Sequence, residues 1–101
     1  MARRIAVIGL DGATFELLDQ LMDRGDMPNL QRICREGVRA PLRSTMPPYT
    51  APAWTTFATG VNPGKHGCYD FLLPTADLEQ FDLCNSTHIQ VPTIYELLHQ
   101  T

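Results

Sequence analysis

A chain of 101 residues with a net charge of −3 has room for one small domain and hardly for a large α/β domain with both sheet faces covered. Its 44% hydrophobic and 19% charged residues are ordinary for a globular protein and exclude wholesale disorder. The only adjacent basic pair, Arg3-Arg4, is too little for a nucleic-acid-coating surface.

In chain order, residues 4–10 form a nearly continuous apolar run rich in β-branched side chains, as expected of a central parallel strand buried on both faces. Its wholly apolar part, Ile5 to Leu10, is shorter than a signal-peptide core of about seven to fifteen residues or a membrane span of about twenty, so a soluble cytoplasmic protein is expected. Asp11-Gly12 ends it. Thr14 then caps a helix running to about Arg24, with Phe15, Leu17, Leu18, Leu21 and Met22 in one stripe and Gly25 as the stop. A second helix is predicted from Pro28, capped by Asp26 or Met27, burying Leu30, Ile33 and Cys34 until Gly37.

Residues 38–44 contain Pro41 and read as a short or edge strand. Pro47 and Pro48 stiffen the approach to Thr50, and a short helix is expected over 51–58, stopping at Thr59-Gly60. A rigid loop over 62–67 follows. Residues 68–73 suit a strand or an extended loop, and residues 74–90 read as a surface excursion. Pro92 at the first helical position is expected to start a last helix over 93–99, with Ile94, Leu97 and Leu98 on one face. That helix has no stop signal, so the chain is expected to be truncated. Strands alternating with helices imply a three-layer α/β fold with its site at the strands' C-terminal ends.

Two residues stand out chemically. A hydroxyl at the start of a helix, Thr50, sits where free N–H groups and the helix dipole hold phosphate or sulfate. Asp11 would be delivered by the end of the first strand. A carboxylate and a hydroxyl meeting at a sheet's edge make a metal-activated nucleophile. Asp-Gly is also a common turn pair, and Thr before a helix is commonly a plain N-cap. A threonine hydroxyl needs a metal or a base to attack phosphorus, and no His or Lys adjoins Thr50, which points to a metal. Cys34, Cys68 and Cys84 form no CxxC pair, and their odd number suits reduced thiols.

Val7-Ile-Gly-Leu-Asp11-Gly12, then Met27-Pro-Asn-Leu30 with Glu36-Gly-Val38, then Thr50-x-Pro with Thr59-Gly-x-x-Pro-x-x-His66-Gly67, occur in this order. Together they resemble type I phosphodiesterases/nucleotide pyrophosphatases of the alkaline phosphatase superfamily, and the resemblance covers essentially the whole chain. It implies an alkaline-phosphatase-like three-layer parallel sheet, of which residues 1–101 would be an N-terminal portion, inactive on its own. It also implies two divalent metal ions, usually zinc, with Asp11 and Thr50 ligating the same one. Thr50 would be the nucleophile, phosphorylated in passing, and the substrate a small-molecule phosphate ester contacted by Ala51; Lys65 is a candidate phosphate contact by charge alone, with a solvated surface charge as the alternative reading.

One position departs from the pattern. Where nucleotide pyrophosphatases carry an Asn donor to a phosphate oxygen, this chain has Ala53, and losing one such donor costs on the order of 2.7–4 kcal/mol in the transition state. His66, His88 and His99 read as structural, Asp70 as a loop-fixing residue, and Trp54 as packing under the nucleophile helix. Two other functions stay open. Ile8-Gly-Leu-Asp-Gly-Ala-Thr14 echoes the first phosphate loop of actin-like sugar kinases, a fold that needs a β-hairpin next, where a helix is predicted here. A non-catalytic interaction module is the third reading.

Overall fold

The computed structural model describes residues 4–100. Five helices, α1 (Phe15–Asp23), α2 (Pro28–Glu36), α3 (Thr50–Thr59), α4 (Pro63–His66) and α5 (Ile94–His99), accompany two short strands, β1 (Leu72–Pro74) and β2 (Phe81–Leu83), and a 3₁₀ turn, Ser86–His88. They fall into two units, Met1–Pro41 and Leu42–Thr101. No helix among the described residues is long and apolar enough to cross a membrane.

In the first unit, α1 is capped by the Thr14 hydroxyl, which accepts from Leu17 N–H at 3.4 Å. It ends in a Schellman motif: Gly25, at φ +81°, donates to the Met22 carbonyl at 3.0 Å, and Asp26 to the Leu21 carbonyl at 2.9 Å. Gly25 lets the chain turn there at no steric cost. Helix α2 starts with Pro28 behind Met27 and packs on α1, burying Met22. Arg39 bonds Asp19 and lies 4.3 Å over the Phe15 ring.

Two expectations for this unit are corrected. Residues 4–10 form no strand, and Ile5, Val7, Ile8 and Leu10 are exposed. Nor is there a strand over 38–44. A strand exists only against a neighbour, and the one ladder among the described residues is elsewhere. Ile33, expected in the core, is exposed at 61%, while Cys34 is half-buried.

In the second unit, α3 ends at Gly60 in the left-handed region. Within it, Thr55 and Thr59 hydroxyls donate to the carbonyls four residues back at 2.8 and 2.7 Å. The loop expected over 62–67 is instead the single helical turn α4, framed by Pro63 at its first position and Gly67 at its end. A short antiparallel hairpin joins the end of 68–73, where a strand was one of two expectations, to the expected surface excursion, with Leu72 opposite Leu83 and Pro74 opposite Phe81. Helix α5 begins after Thr93, not at Pro92: the Thr93 side chain accepts from Glu96 N–H while Glu96 reaches back to Thr93, a capping box. Helix α5 and helix α4 pack against α3, and the buried residues of this unit are Pro52, Pro63, His66, Cys68 and Leu73. The sheet present is thus two-stranded and antiparallel, in a small mixed helix–strand architecture.

Candidate active site around Thr50

The chain enters α3 through a cis Met46–Pro47 bond, with the Thr45 hydroxyl donating to the Pro47 carbonyl at 2.7 Å. Tyr49, extended at φ −104° and ψ 158°, occupies the N-cap position, so Thr50 is the first helical residue rather than the cap. Thr50 is exposed. Among the first helical positions, Pro52 has no N–H, and the Ala53 N–H bonds the Tyr49 carbonyl at 3.0 Å. The N–H groups of Thr50 and Ala51 have no acceptor inside the helix and face out of its positive end. Thr50 and Ala51 also line a cavity of about 380 Å³, together with Trp54, Cys68, Cys84 and Ser86. A hydroxyl and two outward backbone donors at one helix end suit an oxyanion of tetrahedral shape.

What holds this helix in place is His66, buried at 0% exposure. Its Nδ1 accepts the Cys68 N–H at 3.1 Å, so the ring proton is on Nε2, which donates to the Thr56 hydroxyl at 2.9 Å. Burial lowers its pKa below the ordinary 6.5, with the Pro52 carbonyl opposing. The ring is therefore a neutral clamp between α3 and α4, and with both nitrogens engaged it is structural, as the sequence suggests. Next to it, Gly67 lies at φ +83°, and a Cβ there would meet the Gln90 side chain at 3.1 Å and the His88 carbonyl at 3.2 Å. The His66 carbonyl accepts Gln90 N–H at 3.1 Å, which ties the later segment to α4.

Lys65 is exposed on α4 and does not line the Thr50 cavity. Asp11 is exposed in a turn of the first unit, beside Gly12 at φ +69°. Ala53 lines a different cavity, with Ser44, Thr45 and Phe57. Trp54 stacks edge-on against Phe57, ring centroids 5.8 Å apart, and stays 38% exposed. The Asp70 carboxylate accepts the Phe71 N–H at 2.7 Å and so fixes the loop before β1. His88 Nδ1 accepts the Asn85 N–H at 3.3 Å. No group of three or more His, Cys, Asp or Glu side chains among the described residues could hold a metal ion.

One pairing escaped the sequence reading. Cys68 and Cys84 sulfurs are 2.8 Å apart, both as free thiols in the wall of the Thr50 cavity. Burial, and then the Cys68 thiol, push Cys84 up to about 11. Spacing along the chain carried no sign of this, because an unforeseen hairpin makes the approach.

Comparison with known proteins adds one finding: the model of the type I phosphodiesterase / nucleotide pyrophosphatase family matches residues 5–98. Searches of curated proteins and of solved structures return no match.

Proposed function

The chain belongs to the type I phosphodiesterase / nucleotide pyrophosphatase family, and on that premise we propose that it carries the nucleophile segment of a metal-dependent phosphate-ester hydrolase. The observation that supports this most is the exposed Thr50 as the first residue of α3, lining a cavity together with Ala51. In the proposed reaction, Thr50 Oγ1 attacks phosphorus in line with the leaving alcohol, the P–O bond to that alcohol breaks, and water then cleaves the phosphothreonine. The N–H groups of Thr50 and Ala51 would receive the non-bridging oxygens. Lys65, outside the cavity, suits a longer-range attraction for the anion.

Asp11 and Thr50 are proposed as oxygen ligands of a divalent cation, zinc by family resemblance, as one of two. Both are exposed oxygen donors that such an ion accepts, but the described residues hold no cluster of three. They fit as part of a ligand set, with further donors from outside it. A bound divalent cation supplies the charge that lets a hydroxyl become a nucleophile near neutral pH. We further propose an alkaline-phosphatase-like three-layer fold for the catalytic domain, acting on small phosphate esters in the cytoplasm. Ala53, in place of an Asn donor, argues against nucleotide pyrophosphates as the preferred substrate.

The sugar-kinase reading loses support because α1, not a hairpin, follows Gly12. The test is substitution in the catalytic domain containing this segment. Thr50→Ala should abolish hydrolysis of an aryl phosphodiester, and Thr50→Ser should retain part of it. Full turnover by Thr50→Ala would remove the nucleophile assignment.

A further inference from the structure

We propose that Cys68 and Cys84 are an oxidisable pair that forms an intrachain disulfide on exposure to a peroxide, cross-linking one wall of the Thr50 cavity. Their sulfurs stand 2.8 Å apart, against about 2.0 Å for a disulfide bond. Independent backbone bonds fix each residue. The Cys68 N–H donates to His66 Nδ1 at 3.1 Å, directly after α4. The Cys84 N–H donates to the Phe71 carbonyl at 2.7 Å, which extends the β1–β2 ladder by one pair. Closing the bond therefore asks for side-chain movement and leaves the hairpin register alone.

Access gives the order of events. Cys68 is 2% exposed and Cys84 half-buried, and both line the cavity, so a small oxidant entering there reaches Cys84 first. The Cys84 thiolate attacks a peroxide oxygen, the O–O bond breaks, and a sulfenic acid forms with release of water. Cys68 Sγ then attacks the Cys84 sulfur: the S–S bond forms, the S–O bond breaks, and the hydroxyl leaves as water with the Cys68 proton. Two thiols lose two hydrogens, and one hydrogen peroxide becomes two waters. The scarcity of the Cys84 thiolate, pushed up to about 11 by burial and its neighbour, makes the reaction slow near neutrality. Its rate should rise about tenfold per pH unit between 7 and 10.

The experiment treats the Cys34→Ser chain with hydrogen peroxide and maps it without reduction. Glu79 lies between the two cysteines, so a glutamyl endopeptidase separates them unless they are bonded. Expected are a joined peptide pair containing Cys68 and Cys84, an intact mass lighter by two hydrogens, loss of both titratable thiols, and reversal by dithiothreitol, all in monomer. In the unsubstituted chain, one of the three thiols should survive. Separate sulfinic acids, disulfides between chains, or two thiols still free at pH 9 would each overturn the proposal. None of these readouts depends on Thr50 being a nucleophile.

Discussion

Thr56→Val probes the clamp that holds α3, because valine keeps the shape of threonine and removes only the hydroxyl. In the native chain that hydroxyl receives the Nε2–H of a ring with 0% exposure, at 2.9 Å. Without it, a buried donor loses its acceptor in a place water does not reach, which costs about 1–3 kcal/mol. That is roughly a 5- to 150-fold rise in the opening equilibrium. The Pro52 carbonyl also faces the ring and can take over part of the role, which sets the expected cost at the lower end. Hydrogen exchange at the Cys68 amide reports the opening directly, since that amide donates to the other ring nitrogen at 3.1 Å. The same ring imposes a pH dependence. Burial holds the folded pKa below the ordinary 6.5, so the unfolded chain binds the proton first as pH falls. His66's contribution is complete above about 6.5 and declines with acidification until the folded value is reached. Cys68 exchange unchanged by Thr56→Val, or a His66 resonance titrating at or above 6.5, would refute the clamp.

Two further changes test the flanks of the site. Thr93→Ala should weaken α5 by about 1 kcal/mol, read as lost helical chemical shifts over 94–99, because it removes the cap and half of the capping box. Glu96 is held below its usual 4.5 by the Thr93 N–H and then the Thr93 hydroxyl. Native α5 should therefore fray as pH falls through the folded value of Glu96, and the variant should fray less steeply. Gly67→Ala combines a left-handed φ of +83° with contacts at 3.1 and 3.2 Å. It should cost at least about 1–2 kcal/mol in urea denaturation, and an unshifted midpoint would show that the Gln90 segment does not press on α4.

The helices were legible because their signals are local. Thr14, Gly25, Pro28 and Gly37 lie within a turn of the ends they set, and α1 and α2 begin and stop where those residues direct. Residues 4–10 show the opposite case: a β-branched apolar run states a preference, but whether a strand forms depends on a partner that spacing alone does not name. A strand over 68–73 was one of two expectations, but its partner β2 and their pairing were missed for a related reason, since strands of three residues are too short to display alternation. With it went the Cys68–Cys84 approach, sixteen positions apart in the chain. At α5 two local rules competed. The Thr93-x-x-Glu96 box, which satisfies two backbone donors, made Thr93 the N-cap and Ile94 the first helical residue, where the expectation had Pro92. Thr50 was legible as the opening of a helix, but that Tyr49 caps it, leaving the Thr50 hydroxyl uncommitted to capping, was not.

The two halves of the proposed chemistry rest on different kinds of support. Presentation of Thr50 follows from bonds inside one unit: the Tyr49 carbonyl to Ala53, the threonine back-bonds along α3, and the His66 clamp. None of these bonds needs a cation. The outward N–H groups of Thr50 and Ala51 are likewise a property of the helix end and of Pro52, which brings no competing donor. Capture of a phosphate oxygen and activation of the hydroxyl are thus separable on the proposed reading. Stripping the metal should abolish attack by Thr50 while leaving the backbone donors in place, so an anion held by α3 alone would bind weakly and with strong salt dependence.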